Sequence, residues 1–184
     1  MPFEGARVVP LLPSQKPTKT ATALSELSTT IGHARGLPGW YSRRSQLGDQ
    51  SKGGRNVETP AWDLGVAQGV LISMPVPGIQ SPIDVEHIFL GDNLVGFGLR
   101  FRLADPADIQ LFERLRTEAV KVLGQPSQLS AGVEKLANED LEVYIQRHPS
   151  PALTQAFKKP VDAARLHYLC PKANLDRALR KAVP

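Results

Sequence analysis

The stretch IDVEHIFLGDNLVGFGLRFRLADPADIQLFERLRTEAVKVLGQP, residues 83–126, decides the fold. Two apolar runs, VEHIFL (85–90) and LVGFGLRFRL (94–103), flank Gly91-Asp92-Asn93, a turn composition that predicts a β-hairpin. In the second run Val95, Phe97, Leu99, Phe101 and Leu103 fall on one face of a strand, and Gly96, Gly98, Arg100 and Arg102 on the other. Side chains alternate along a strand, so one face is predicted buried and the other more polar. Asp105 then stands at an N-cap, Pro106 at the first helical position where its missing N–H costs nothing, and Asp108 in the positively polarised first turn. Ile109, Phe112, Leu115, Ala119 and Val122/Leu123 recur at helical spacing, and Gly124 and Pro126 close the segment. A capped amphipathic helix over about 105–124 follows.

Working outward, AQGVLISM (67–74) reads as a strand stopped by Pro75, Pro77 and Gly78. Upstream, ATALSELSTTI (21–31) reads as a short helix with Leu24, Leu27 and Ile31 on one side. Downstream, 130–138 reads as a short helix, LEVYIQR (141–147) as a strand, and the segment from Ser150-Pro151 to Lys159 as a short helix. ARLHYL (164–169) stays open between strand and buried helical turn, because periodicity does not separate them. The tail after Pro171 carries Leu175, Ala178, Leu179 and Ala182 on one face and basic residues at its end, which suits a C-terminal helix. Hairpin, helix and then further strands, without regular alternation, imply an α+β fold: a mostly antiparallel sheet with the capped helix and the C-terminal helix packed on one face.

Charge divides the chain of 184 residues. Residues 1–59 hold eight basic and four acidic side chains and so account for the whole formal charge of +4, while the remainder carries 14 of each. Six glycines fall between positions 32 and 56, where ordering the backbone is costly. The organisation expected is therefore a basic, Gly-rich extension or long loop over 1–59, with one short helix, and a single α+β domain over 60–184. One cysteine, Cys170, excludes an internal disulfide framework. Glu4, Pro10 and Pro13 interrupt any export signal, and no stretch reaches the roughly 18 apolar residues of a spanning helix, so a cytoplasmic protein away from membranes is expected.

Chemistry is harder to locate. HExxH, EF-hand, CxxC, GxSxG and P-loop patterns are all missing, and no metal or cofactor is implied. Asp84 and Glu86 share one face of a strand with His87 pointing away, a pattern expected of exposed carboxylates on an edge strand. His167 and Cys170, three apart, face opposite ways if their segment is a strand. Gly96-Phe97-Gly98 lies inside a strand, where glycine makes room for a bulky neighbour or marks a bulge.

Three functions are consistent with these features. The first is a non-enzymatic module that binds a protein partner, as an adaptor, chaperone or immunity-like protein, with Trp40, Tyr41, Arg43 and Arg44 as anchors. The second is a nucleic-acid-binding protein using the basic segment 32–56, where the same residues combine stacking rings with guanidinium groups. The third is an enzyme whose site is assembled from distant residues, with Asp84, Glu86, His148, His167 and Cys170 as candidates. The absence of catalytic motifs ranks it last.

Overall fold

The computed structural model describes residues 19–32, 40, 42, 44–45 and 53–181. Among these residues eight strands form one antiparallel sheet: β1 (Arg55–Pro60), β2 (Val66–Met74), β3 (Ile83–Leu90), β4 (Asn93–Leu103), β5 (Ser127–Ser130), β6 (Val133–Ala137), β7 (Glu142–Pro149) and β8 (Asp162–Leu169). Their spatial order is β1-β2-β3-β4-β8-β7-β6-β5. The first four strands meander to the middle of the sheet. Helix α3 (Pro106–Leu123) then carries the chain to the far edge, and the last four strands meander back until β8 pairs with β4. The fold is α+β with an antiparallel sheet, and 164–169 is strand.

Helices α1 (Lys19–Ala23), α2 (Ser25–Thr30) and α3 cover one face of this sheet. Phe112 meets Phe101 edge-on, with ring centroids 5.6 Å apart, and Leu111, Leu115 and Ala119 are buried beside it. Each large side chain so buried contributes about 1.5–3 kcal/mol. Pro106 opens α3 and Gly124, at φ +92°, closes it, but Asp105 makes no side-chain cap. Asp108 is instead buried, and burial followed by repulsion from Asp105 raises its pKa. The cap that matters belongs to α2, where the Glu118 carboxylate of α3 accepts from the backbone N–H groups of Glu26 (2.8 Å) and Leu27 (3.2 Å) and from the Ser25 hydroxyl. Two short helices, α4 (Pro151–Phe157) and α5 (Lys172–Lys181), flank β8 in the chain.

One expectation changes. Residues 130–138 form no helix but belong to the β5–β6 hairpin, which turns at Gly132 with φ +74°. The three-residue spacing of Val133 and Leu136 imitates a helix, yet on a strand it sends them to opposite faces: Leu136 shares a cross-strand row with Val143, Tyr168 and Phe97, whereas Val133 lies opposite Gln146. A division at 59/60 falls inside β1, and Leu24, Leu27, Ile31 and Trp40 all belong to the same core cluster as the sheet. Most of segment 32–56 lies outside the described residues.

Candidate functional site

The face of the sheet turned away from α3 carries a row of directly opposed residues. Leu71, Glu86, Gly98, His167, Tyr144 and Lys135 follow one another across β2, β3, β4, β8, β7 and β6. Glu86 is fully buried and His167 is 1 % exposed, at the centre of the sheet. Two glycines make room for the carboxylate. A Cβ at Gly69 would collide with Glu86 Oε1, and one at Gly98 would lie 2.8 Å from Oε2 and 3.0 Å from the His167 ring. Asp84 and Glu86 do share a face, but β3 is an interior strand, so Glu86 is not the exposed edge carboxylate its pattern suggested.

A strap formed by the β1–β2 connection, residues 61–65, closes over this row. To reach strands β8 and β7 it depends on a sheet that curls toward it, as wide twisted sheets do. Trp62 takes φ +51° and Gly65 φ +83°. The Trp62 indole stacks on Tyr144, with centroids 4.6 Å apart and planes within 2°, and its Nε1–H donates to His167 Nδ1 at 3.0 Å. Lys135 donates to Asp63 at 3.1 Å, and the Tyr144 hydroxyl lies 3.2 Å from Asp63 and 2.9 Å from Glu142. Burial raises the Tyr144 pKa. Burial opposes charge on Lys135, yet its bonds to Tyr144 and Asp63 and the nearby Glu142 outweigh that and raise its pKa. For His167, burial first and then the charges of Arg165 and Arg100 push the pKa down to about 4. Because indole only donates, Nδ1 carries the lone pair and the proton of neutral His167 sits on Nε2. That atom is 3.8 Å from Glu86 Oε2, and neither has a hydrogen-bond partner among the described residues.

Below this closed cluster the same face is basic. Arg100 and Arg165 stand directly opposite one another on the two central strands, with Asp84 on the far side of Arg100 and Gln146 beyond Arg165. One residue pair further on, Arg102 and His148 lie on either side of Ala163. Arg100 reaches Glu86 Oε1 at 3.5 Å, while its buried Nε has no hydrogen-bond partner among the described residues. Asp84 is held by the Ser73 hydroxyl. Among the described residues Arg102 and Arg165 form no ion pair. Burial, and then the Arg100 charge, lowers the Arg165 pKa, with Glu86 partly compensating.

The residues singled out from the sequence separate widely. Trp40 is 4 % exposed, packs against Phe97 and donates to the Asp140 carbonyl at 3.3 Å, so it is a core residue. Arg44 is committed to Asn56 (2.9 Å) and to the Phe89 ring, and Tyr41 and Arg43 lie outside the described residues. Glu86 and His167 come together. His148 is exposed on the same face near Arg102, and Cys170 is buried, its backbone N–H bonded to Val95. No motif in the sequence marks Trp62, Tyr144 or Arg165. Only the alternation of Gly98, Arg100 and Arg102 signalled an unusual outer face.

Two surface grooves, of about 550 and 440 Å³, flank α3, and neither is lined by Glu86 or His167. Among the described residues no three His, Cys, Asp or Glu side chains gather as metal ligands, and no helix is long and apolar enough to cross a membrane. Comparison with protein-family models, curated proteins and solved structures finds no match to this chain.

Proposed function

We propose that the protein is a non-enzymatic binding module that takes an acidic segment of a protein partner on the arginine face of its sheet. The observation that carries this reading is the direct opposition of Arg100 and Arg165 on β4 and β8. Like charges placed opposite each other across strands destabilise a sheet, and here they share a single buried countercharge, Glu86. A carboxylate from outside relieves that repulsion and meets two guanidinium groups, the donors best shaped to hold it in a forked pair. Arg102 and exposed His148 extend the basic strip across β4 and β7.

Catalysis fits less well, because Glu86 and His167 are buried beneath Trp62 and line neither of the two grooves beside α3. Nucleic acid is disfavoured by the shortness of the strip, since phosphate-tracking surfaces spread their charge along a groove. Such a module suits a reducing cytoplasm, where the lone Cys170 stays a thiol.

The test is calorimetric titration at low salt with two probes, a hexaglutamate peptide and a single-stranded DNA dodecamer. Hexaglutamate is expected to bind, and Arg100→Gln or Arg165→Gln to weaken it about ten- to a hundredfold, the worth of a charge-assisted hydrogen bond. Hexaglutamate binding unaltered by both substitutions, or tighter binding of the dodecamer, overturns the reading.

A further inference from the structure

We infer that the strap at residues 61–65 is a proton-sensitive latch, in which uptake of a proton by His167 Nδ1 releases Trp62 and uncovers the Glu86–His167 pair. The latch lies on the same sheet face as the arginine strip and shares Arg100, Arg165 and Glu86 with it, but it does not depend on partner binding.

The latch is built from one hydrogen bond that a proton abolishes. Trp62 Nε1 can only donate, and it donates to the Nδ1 lone pair at 3.0 Å. When Nδ1 takes a proton from solvent, two N–H groups face each other and the contact turns repulsive. The strap closes its own turn through backbone hydrogen bonds from Ala61 to Gly65, Leu64 to Ala61 and Gly65 to Trp62, but Trp62 itself, a bulky residue at φ +51°, is held in that conformation by its surroundings. Besides the Trp62–His167 bond the strap is held by the stack on Tyr144, by the bonds of Asp63 to Lys135 and Tyr144, and by the packing of Ala61, Trp62 and Leu64 on the core.

The protonated ring has a second partner waiting. Nε2 of His167 already points toward Glu86 Oε2, 3.8 Å away, and that oxygen has no other hydrogen bond among the described residues. The imidazolium can therefore exchange Trp62 for Glu86, which gives the cluster two discrete arrangements. The charged or titratable groups around the latch are Glu86 from β3, Arg100 from β4, Arg165 from β8, Tyr144 and Glu142 from β7, Lys135 from β6, Asp63 from the strap itself, and Lys172 from α5, whose charge acts on Asp63; β2 contributes only apolar residues there. Burial first, and then the guanidinium charges of Arg165 and Arg100, oppose the proton, with Glu86 Oε2 3.8 Å from Nε2. The latch is accordingly closed at neutral pH, with release in the acid range.

The experiment is fluorine NMR on the full chain labelled with 5-fluorotryptophan, titrated from neutral pH to about pH 3 beside far-ultraviolet circular dichroism. The chain has two tryptophans, and Trp62→Phe assigns the signals. The Trp62 resonance is expected to move to a solvent-exposed position with a midpoint near pH 4 while the dichroism holds. In His167→Gln, whose amide oxygen accepts the indole N–H and does not titrate, the resonance should stay put. In Arg165→Gln, which removes an opposing charge, the midpoint should rise by about half a pH unit or more. A Trp62 shift that coincides with loss of the dichroism overturns the latch. So does one that persists in His167→Gln, and, should that variant not fold, a midpoint unmoved in Arg165→Gln does the same.

Discussion

Replacing Arg165 with methionine should make the folded protein more stable while weakening its binding of acidic ligands. The guanidinium of Arg165 faces that of Arg100 across the β4–β8 ladder, and the two share Glu86 as countercharge. Directly opposed like charges cost about 0.2–1 kcal/mol relative to a neutral pair. Methionine keeps the apolar stem that covers the sheet and removes only the charge. Arg100 then keeps Glu86, 3.5 Å away, to itself. The gain expected is about 0.5–1 kcal/mol, or about 1–4 °C in melting temperature for a chain of this size. Urea unfolding measured at about 0.01 M and 1 M salt supplies the assay, because the screening length falls between them from about 30 to 3 Å. The gain should be full at low salt and shrink at high salt. A variant less stable than the parent by more than about 1 kcal/mol at low salt refutes the reasoning, as does a gain that ignores salt.

Three further outcomes follow from the buried groups. His167 takes its proton near pH 4 when folded and near 6.5 when unfolded, so between those values the unfolded chain holds more protons. Stability from this residue is therefore complete above about pH 6.5 and is lost as pH falls toward 4, by about 3 kcal/mol in all. Urea unfolding at stepped pH should show that slope in the parent and a flatter one in His167→Gln, and equal slopes would contradict the assignment. Gly98→Ala places a methyl 2.8 Å from Glu86 Oε2 and 3.0 Å from the His167 ring, among neighbours with no room to move, and should cost about 1–3 kcal/mol in calorimetric melting. Glu118→Ala removes the cap that α3 lends to α2; a loss of about 1 kcal/mol is expected, with hydrogen exchange quickened at residues 25–30 and unchanged in the sheet.

The parts of this molecule legible in its sequence are those set by local periodicity. The β3–β4 hairpin, α3 with its Pro106 start and Gly124 stop, and the apolar face from Val95 to Leu103 depend on neighbours a few residues apart. The candidate site depends on pairings that periodicity does not encode. Glu86 looked like an edge carboxylate because nothing in VEHIFL announces that β2 will cover its outer side, and His167 met it only through the long-range pairing of β8 with β4. Trp40 sits in a glycine-rich, basic segment and so resembled an exposed anchor, yet its ring fills the core against Phe97. The position of Gly98 inside a strand pattern points to a bulky neighbour. That the occupant is a carboxylate follows from register, because Gly98 is opposite Glu86 on one side and His167 on the other.

Recognition of acidic partner segments by the arginine face is tested most directly by mapping amide shifts of the ¹⁵N-labelled chain during a hexaglutamate titration. The perturbed amides are predicted to cluster at 98–102 on β4 and 163–167 on β8, and to fall silent when Arg100 and Arg165 are both replaced by glutamine. Perturbations centred on another part of the surface, or a pattern that survives the double replacement, would contradict it.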